Sequence, residues 1–178
     1  MTQITLGVGI GLVLSALLMG TGISKENRPD QLDLLEKHVL IETLLAEAAK
    51  ELKMEPPKPA TKNYPKLTVT EKTMVEWVVC KNTGCSALAA SVENFIFVAK
   101  QVDLRSTKGQ GIMYHELIHA LQYAKYGASP NCQEWVRREH EAYMLQDKWV
   151  SDRGLDIPWL TQVRDKLDGY CRKYSKNP

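Results

Sequence analysis

The chain has 178 residues, of which 44% are hydrophobic and 25% are charged, which suits one domain with a hydrophobic core and leaves too little for a second large domain. Its 23 basic and 21 acidic residues leave a net charge of +2, and the basic residues are dispersed along the chain. This balance argues against a nucleic-acid partner. The segments described below predict an α+β fold, a mostly helical domain with a small β-sheet, preceded by one N-terminal hydrophobic helix.

Residues 1–24 are predicted to be a signal anchor or a signal peptide. Residues 4–20 are mostly apolar and contain no charged side chain, and their number is at the short limit for a membrane-spanning helix. No Lys or Arg precedes them, and no strong cleavage site of small residues follows before Lys25. The pattern therefore slightly favours an uncleaved membrane anchor over an export signal, and the membrane is an expected partner.

Two signals disagree on which side of the membrane the domain lies. Lys25, Arg28 and Lys37 follow the apolar segment, and the positive-inside rule would place them, and the domain with them, in the cytoplasm. Four cysteines favour the opposite side, because two disulfides would form in an oxidising compartment. We predict a membrane-anchored or exported protein whose domain is extracytoplasmic.

The cysteines allow several pairings. Cys80 and Cys85 flank a predicted turn, so their pairing is the easier one to form. Cys132 begins one predicted helix and Cys171 ends the next, and a disulfide between them requires the two helices to cross at a skewed angle. A structural zinc site made of all four cysteines is a less favoured alternative, because the one close pair lacks the usual two-residue spacing.

Residues 25–65 are predicted to form a helix followed by a stiff connector. Apolar residues recur at helical spacing over residues 31–53, and Pro56, Pro57 and Pro59 end the helix. The proline-rich stretch continues to Pro65. Residues 66–80 are ambiguous between strand and helix. Residues 95–98 read as a strand, and residues 87–91 are its partner across a turn at residues 92–94.

The most informative segment contains His115, Glu116 and His119. On a helix, residues four positions apart lie about 40° apart on one face, so both imidazoles can bind one tetrahedral metal ion. Glu116 projects beside that ion, where it can accept a proton from water that zinc has acidified. The competing interpretation is a pair of solvated or core-capping histidines, and the carboxylate between them argues against it.

A helix over residues 112–126 is predicted to carry this segment. These residues contain no Pro or Gly, and Gly127 and Pro130 follow them. At about 100° per residue, the two histidines lie with Gln122 and Tyr126 on the side opposite an apolar stripe. The stripe consists of Met113, Leu117, Ala120, Leu121 and Ala124.

A catalytic zinc ion needs a third protein ligand and an open position for water. The candidates share the next predicted helix, which Asn131 caps with Glu134 completing a capping box, and they are Glu134, Glu139, His140 and Glu141. Glu139 falls in the middle of that helix's apolar face, where a carboxylate needs a cation or hydrogen bonds. We therefore predict Glu139 as the third ligand, and the alternative is an ion pair with Arg138 or Arg153.

With Glu139 three positions before Ala142, residues 85–153 resemble the gluzincin zinc metallopeptidases, in which a Glu from a downstream helix completes the ligand set. The resemblance implies a zincin-like catalytic domain over residues 66–178, with zinc on His115, His119 and Glu139 and with Glu116 as general base. It also implies that the edge strand beside the site binds an extended peptide by β-addition. An ordinary supporting sheet is an equally good interpretation of these strand residues.

One position departs from that family. Many gluzincins carry an Asp four residues after the ligand Glu, where it supports a zinc-bound histidine, whereas this chain has Tyr143. Tyr143 either donates a hydrogen bond to the ligand shell or packs against it, and Gln146 on the same face has the same two interpretations. Tyr123, Tyr126 and Tyr143 are candidates for the donor that stabilises the oxyanion.

The sequence thus predicts a zinc-dependent metallopeptidase that acts on peptide or protein substrates with one catalytic zinc ion. A final helix behind Pro158 is expected to pack near the site. The alternative is a non-catalytic, membrane-tethered domain whose zinc site is structural or vestigial and which binds a protein partner. Among enzymes, hydrolysis of a non-peptide amide is a further alternative.

Overall fold

A computed structural model describes residues 32–80 and 86–174, and these form five α-helices and three β-strands. The predicted fold class, α+β and mostly helical with a small sheet, is confirmed. In chain order the elements are α1 (Leu34–Glu51), β1 (Lys66–Thr70), α2 (Lys72–Cys80), β2 (Ala89–Val92), β3 (Phe95–Ala99), α3 (Thr107–Tyr126), α4 (Cys132–Ser151) and α5 (Pro158–Tyr174).

The sheet has the strand order β1-β3-β2, so β2 lies at one edge. β2 and β3 form the predicted antiparallel hairpin, in which Val92 pairs with Phe95 across the two-residue turn Glu93 and Asn94. Glu93 adopts a left-handed conformation with φ 58. The Asn94 side-chain amide donates to the carbonyl oxygen of Tyr64 at 3.0 Å, which ties the turn to the preceding segment. β1 pairs with β3 in parallel, and the ambiguous residues 66–80 contain both a strand and a helix.

α1 forms within the predicted residues 31–53 and belongs to the main core. Asp33 caps it by accepting from the Glu36 amide, and the Glu36 carboxylate accepts in return from the Asp33 amide. Its buried face packs against α3 and consists of Ile41, Leu44, Leu45, Ala48 and Ala49. Because α3 carries the candidate ligands, this packing helps to fix their position.

α3 begins earlier than the residues 112–126 predicted from its sequence, because it includes Gly109 and Gly111. A Cβ atom on Gly109 would lie 2.0 Å from the carbonyl oxygen of Asp103, and one on Gly111 would lie 2.5 Å from Cγ1 of Val150. The backbone of Asp103 therefore leaves no room for a side chain at Gly109, and a side chain at Gly111 would require the buried Val150 to shift. Helix propensity alone would have excluded both glycines from the helix, and tertiary packing overrides this preference.

The structure contains a disulfide between Cys132 at the start of α4 and Cys171 near the end of α5, with a Cα–Cα distance of 5.7 Å. The sequence favoured the pairing of Cys80 with Cys85 over this one, because a bond between Cys132 and Cys171 requires the two helices to cross at a skewed angle. The disulfide is incompatible with a zinc site built from all four cysteines. The pairing of Cys80 with Cys85 involves a residue outside the described ones.

No helix within residues 32–80 and 86–174 is long and apolar enough to cross a membrane. The predicted anchor or signal, residues 1–24, lies outside the described residues.

Candidate metal centre

Helices α3 and α4 bring the three predicted ligands together. The Nε2 atoms of His115 and His119 are 3.0 Å apart. The two carboxylate oxygens of Glu139 lie 3.5 Å from His115 Nε2 and 3.3 Å from His119 Nε2. All three side chains are largely buried, with 9%, 17% and 15% of their surface exposed for His115, His119 and Glu139. Two imidazoles and a carboxylate thus surround one point between two helices.

The spacing of these atoms fits a zinc ion. Zinc binds imidazole nitrogen and carboxylate oxygen at about 2.0–2.2 Å, and two ligand atoms at tetrahedral positions around it are therefore about 3.3–3.5 Å apart. The observed separations of 3.0, 3.3 and 3.5 Å lie close to these values. Three such ligands leave one tetrahedral position open, as a catalytic zinc site requires.

A hydrogen-bond network fixes the orientation of His119. The Gln122 Nε2 donates to the carbonyl oxygen of Arg138 at 3.2 Å and to Glu141 Oε2 at 2.9 Å. These two bonds orient the amide so that its Oε1 faces His119 Nδ1 at 2.9 Å and accepts the proton there. Gln122 therefore holds His119 with Nε2 facing the centre of the cluster, where this atom can bind a metal that displaces its proton.

The charges of the cluster are balanced internally. Burial alone would lower the pKa of His119, but the charge of Glu139 and its hydrogen bond raise it to about 9. Burial opposes ionisation of Glu139, yet the charge of His119 and hydrogen bonds from both histidines hold the pKa of Glu139 well below its usual range. The Glu139 carboxylate is therefore ionised. Its negative charge is balanced by positive charge at the centre of the cluster, which either a proton or a divalent cation supplies.

The two arginines that offered Glu139 an alternative partner bind other carboxylates. Arg138 donates to Glu134 at 2.8 Å and to the carbonyl oxygen of Gly127. Arg153 donates to Glu47 at 2.9 Å. Within the part of the chain that the structure describes, the side chains that face Glu139 are the two histidines, and neither Arg138 nor Arg153 pairs with it.

Glu116 is buried next to the cluster, with 7% of its surface exposed. It lines the same cavity as the three candidate ligands. Burial raises the pKa of Glu116, against the positive charge of the histidines and a hydrogen bond with Ser91. A carboxylate held in this way, with a raised pKa beside a candidate metal centre, is suited to exchange protons with water.

The remaining predicted residues lie at different distances from the cluster. The ring of Tyr143 contacts that of His115, with centroids 4.3 Å apart, and Gln146 is buried in the cavity wall. The hydroxyl of Tyr123 is hydrogen-bonded to Glu93, and the ring of Tyr126 stacks against the guanidinium of Arg138. Tyr143 is therefore the oxyanion-donor candidate whose ring touches a ligand.

The other ligand candidates on α4 have separate contacts. Glu134 pairs with Arg137 and Arg138, and its backbone amide donates to the Asn131 cap. Glu141 accepts from Gln122 and therefore supports the ligand shell from outside. Sequence reasoning placed Gln122 on the histidine face but gave it no role, although its position three residues after His119 was the available signal.

The cluster opens into a cavity of about 850 Å³. One of its walls is the edge strand β2 with the residues before it, and α3, α4 and α5 form the others. β2 is an edge strand of the described sheet, so one side of its backbone has no neighbouring strand there, and Ala89, Ala90 and Ser91 of β2 line the cavity. The predicted position of the last helix near the site is also confirmed, since α5 contributes to the lining.

Residues 35–175 match the family model described as "Domain of unknown function (DUF6647)". The chain therefore belongs to this family. The matched range contains the three candidate ligands and, apart from the first residue of α1, all five described helices. No curated protein and no solved structure matches the chain.

Replacing Gln122 by Leu is expected to weaken zinc binding about 10–100-fold, because His119 loses the acceptor that holds its Nδ1 proton and its ring orientation. Zinc affinity is measured by competition with a chromophoric chelator. Gln133→Leu is the matched control, since Gln133 is exposed on α4 and away from the cluster. Equal affinities in the Gln122→Leu and Gln133→Leu proteins would show that Gln122 does not support the ligand.

Proposed function

We propose that this protein is a zinc-dependent metallopeptidase that hydrolyses peptide bonds in peptide or protein substrates. The observation that carries the proposal is the convergence of His115, His119 and Glu139, from two helices, in the lining of a cavity that Glu116 also lines. This set is similar to that of the gluzincin peptidases. A site with three ligands, an adjacent buried carboxylate and access to substrate suits hydrolysis better than a structural role.

In the proposed reaction each group has a separate task. When bound, zinc supplies Lewis acidity, which acidifies water and polarises a carbonyl group. His115, His119 and Glu139 hold the ion, and Gln122 keeps His119 in the ligating form. Glu116 accepts a proton from the attacking water and later donates it to the leaving amine.

The edge strand supports a peptide as the substrate. An extended peptide can add to β2 through main-chain hydrogen bonds, which demand little of its sequence. β2 and the candidate ligands line the same cavity, so a peptide bound along this strand would pass the metal centre.

The test is zinc analysis combined with hydrolysis. Purified full-length protein is expected to contain one zinc per chain and to cleave casein, to lose both on treatment with a chelator, and to regain both when zinc is added. Stoichiometric zinc without hydrolysis of casein or of a peptide library would favour a non-catalytic, partner-binding domain. Absence of zinc binding would remove the metal centre itself.

A further inference from the structure

We propose that α5 is the specificity wall of this cavity, and that Trp159, Val163 and Leu167 select substrates with a large apolar side chain beside the scissile bond. The proposal rests on the function proposed above and adds the chemical class of the substrate. It follows from three features of α5: the spacing of its side chains, their exposure and the way in which the helix is held.

The spacing places the three side chains on one stripe. Trp159, Val163 and Leu167 are four positions apart, so successive members are turned by about 40° along one face of the helix. All three line the cavity that contains the candidate ligands. Gln162 and Lys166 are exposed, and Leu160 is buried in the main core, which anchors the helix. An apolar stripe of α5 therefore faces the space in which a substrate would lie.

Leu167 is buried, with 4% of its surface exposed, and forms the inner end of the stripe, but other large apolar side chains of the cavity wall keep part of their surface open to water. The exposed fractions are 39% for Trp159 on α5, 38% for Trp135 on α4 and 37% for Leu88 before β2. Covering such surface with another apolar group is favourable, whereas a charged group placed there loses water without gaining a partner. The wall therefore favours a substrate side chain that is large and apolar.

Charged groups in the lining do not offset this preference. Apart from Glu116 and the ligand cluster, the charged side chains among the described lining residues are Glu93 and Arg138. Glu93 is hydrogen-bonded to Tyr123, and Arg138 is buried against Glu134. Both charges already have partners, so neither is placed to attract a charged side chain of a substrate.

The disulfide holds this wall in place. Cys171 lies one helical turn beyond Leu167 on the same stripe, and it is bonded to Cys132, which itself lines the cavity. α4 is the main packing partner of α5 among the described elements. One end of α5 is thus fixed by the short connection from α4 and the other by the disulfide. A wall fixed at both ends can discriminate between side chains, because it cannot easily move to admit a poor fit.

The experiment measures binding in zinc-loaded, full-length Glu116→Gln protein, so that hydrolysis does not interfere. Two acetylated hexapeptide amides are compared by calorimetry, identical except for a central Phe or Glu. We expect the Phe peptide to bind at least about tenfold more tightly. In the same background Trp159→Ala is expected to reduce this ratio about fivefold, and the control Trp77→Ala, which removes an exposed Trp outside the cavity, is expected to leave it unchanged.

Equal binding of the two peptides, no measurable binding of the Phe peptide, or a ratio that Trp159→Ala leaves intact would overturn the proposal. A second variant, Cys132→Ser with Cys171→Ser, is expected to lower the ratio while the zinc content stays unchanged, since neither cysteine belongs to the cluster of candidate ligands. Failure of the peptidase function would instead show as casein that remains uncleaved by the unsubstituted protein, whatever the peptide preference.

Discussion

Glu139→Ala protein is expected to purify without stoichiometric zinc. Zinc sites in small domains contribute ~10–16 kcal/mol in total, so loss of one ligand of three should cost ~4 kcal/mol, or a factor of about 10³ in affinity. The two histidines alone also lack the negative charge that the carboxylate supplies at 3.3–3.5 Å. Metal analysis of the purified protein and titration with zinc in a competing chelator provide the measurement.

His140→Ala is the matched control for this variant. His140 is the adjacent residue of α4 and a ligand candidate by residue type, but it does not belong to the cluster of His115, His119 and Glu139. The control is expected to retain one zinc per chain. If His140→Ala lost the metal and Glu139→Ala kept it, the ligand assignment on α4 would be wrong.

Glu116→Gln is expected to reduce hydrolysis of casein about 10²–10⁴-fold while zinc remains bound. Gln has nearly the size of Glu and fits the same buried space, but it cannot accept a proton from water at neutral pH. The rate is measured with zinc-reconstituted protein, and the zinc content is measured on the same sample. The result would separate the carboxylate that takes part in the reaction from those that bind the ion.

An exposed carboxylate provides the comparison. Glu42→Gln on α1 changes the charge equally, and Glu42 is not among the residues that line the cavity, so the rate of this variant is expected to match that of the unsubstituted protein. Equal rates for Glu116→Gln and the unsubstituted protein would remove Glu116 from the mechanism and leave the metal centre without its proposed base.

Much of the candidate site could be predicted from sequence because helix geometry is local. The spacing of His115 and His119 sets them on one face of any helix that contains them, and the apolar stripe of the following helix indicated which way Glu139 points. The structure brings all three together as expected. The hairpin and the caps at Asn131 and Gly127 were accessible for the same reason, since each depends on a few adjacent residues.

Features that depend on contacts between distant segments were not accessible. The role of Gln122 requires the carbonyl of Arg138 and the carboxylate of Glu141 to orient its amide from α4. The helical glycines at 109 and 111 follow from the close approach of Asp103 and Val150. Sequence spacing offered the disulfide of Cys132 and Cys171 as a possible pairing but made it the less favoured one, because the crossing of α4 and α5 is set by packing.

The sequence by itself determined which chemical groups are present and which of them share a helix face, because side-chain direction follows from backbone periodicity. It determined the residue types of the candidate cluster, the carboxylate between the histidines and the mostly helical class. Only the tertiary structure decided that α3 and α4 pack at the distance that closes the cluster, that the edge strand β2 lies beside it, and that α5 lines the same cavity. Those arrangements depend on how buried surfaces fit together, and no local pattern specifies that fit.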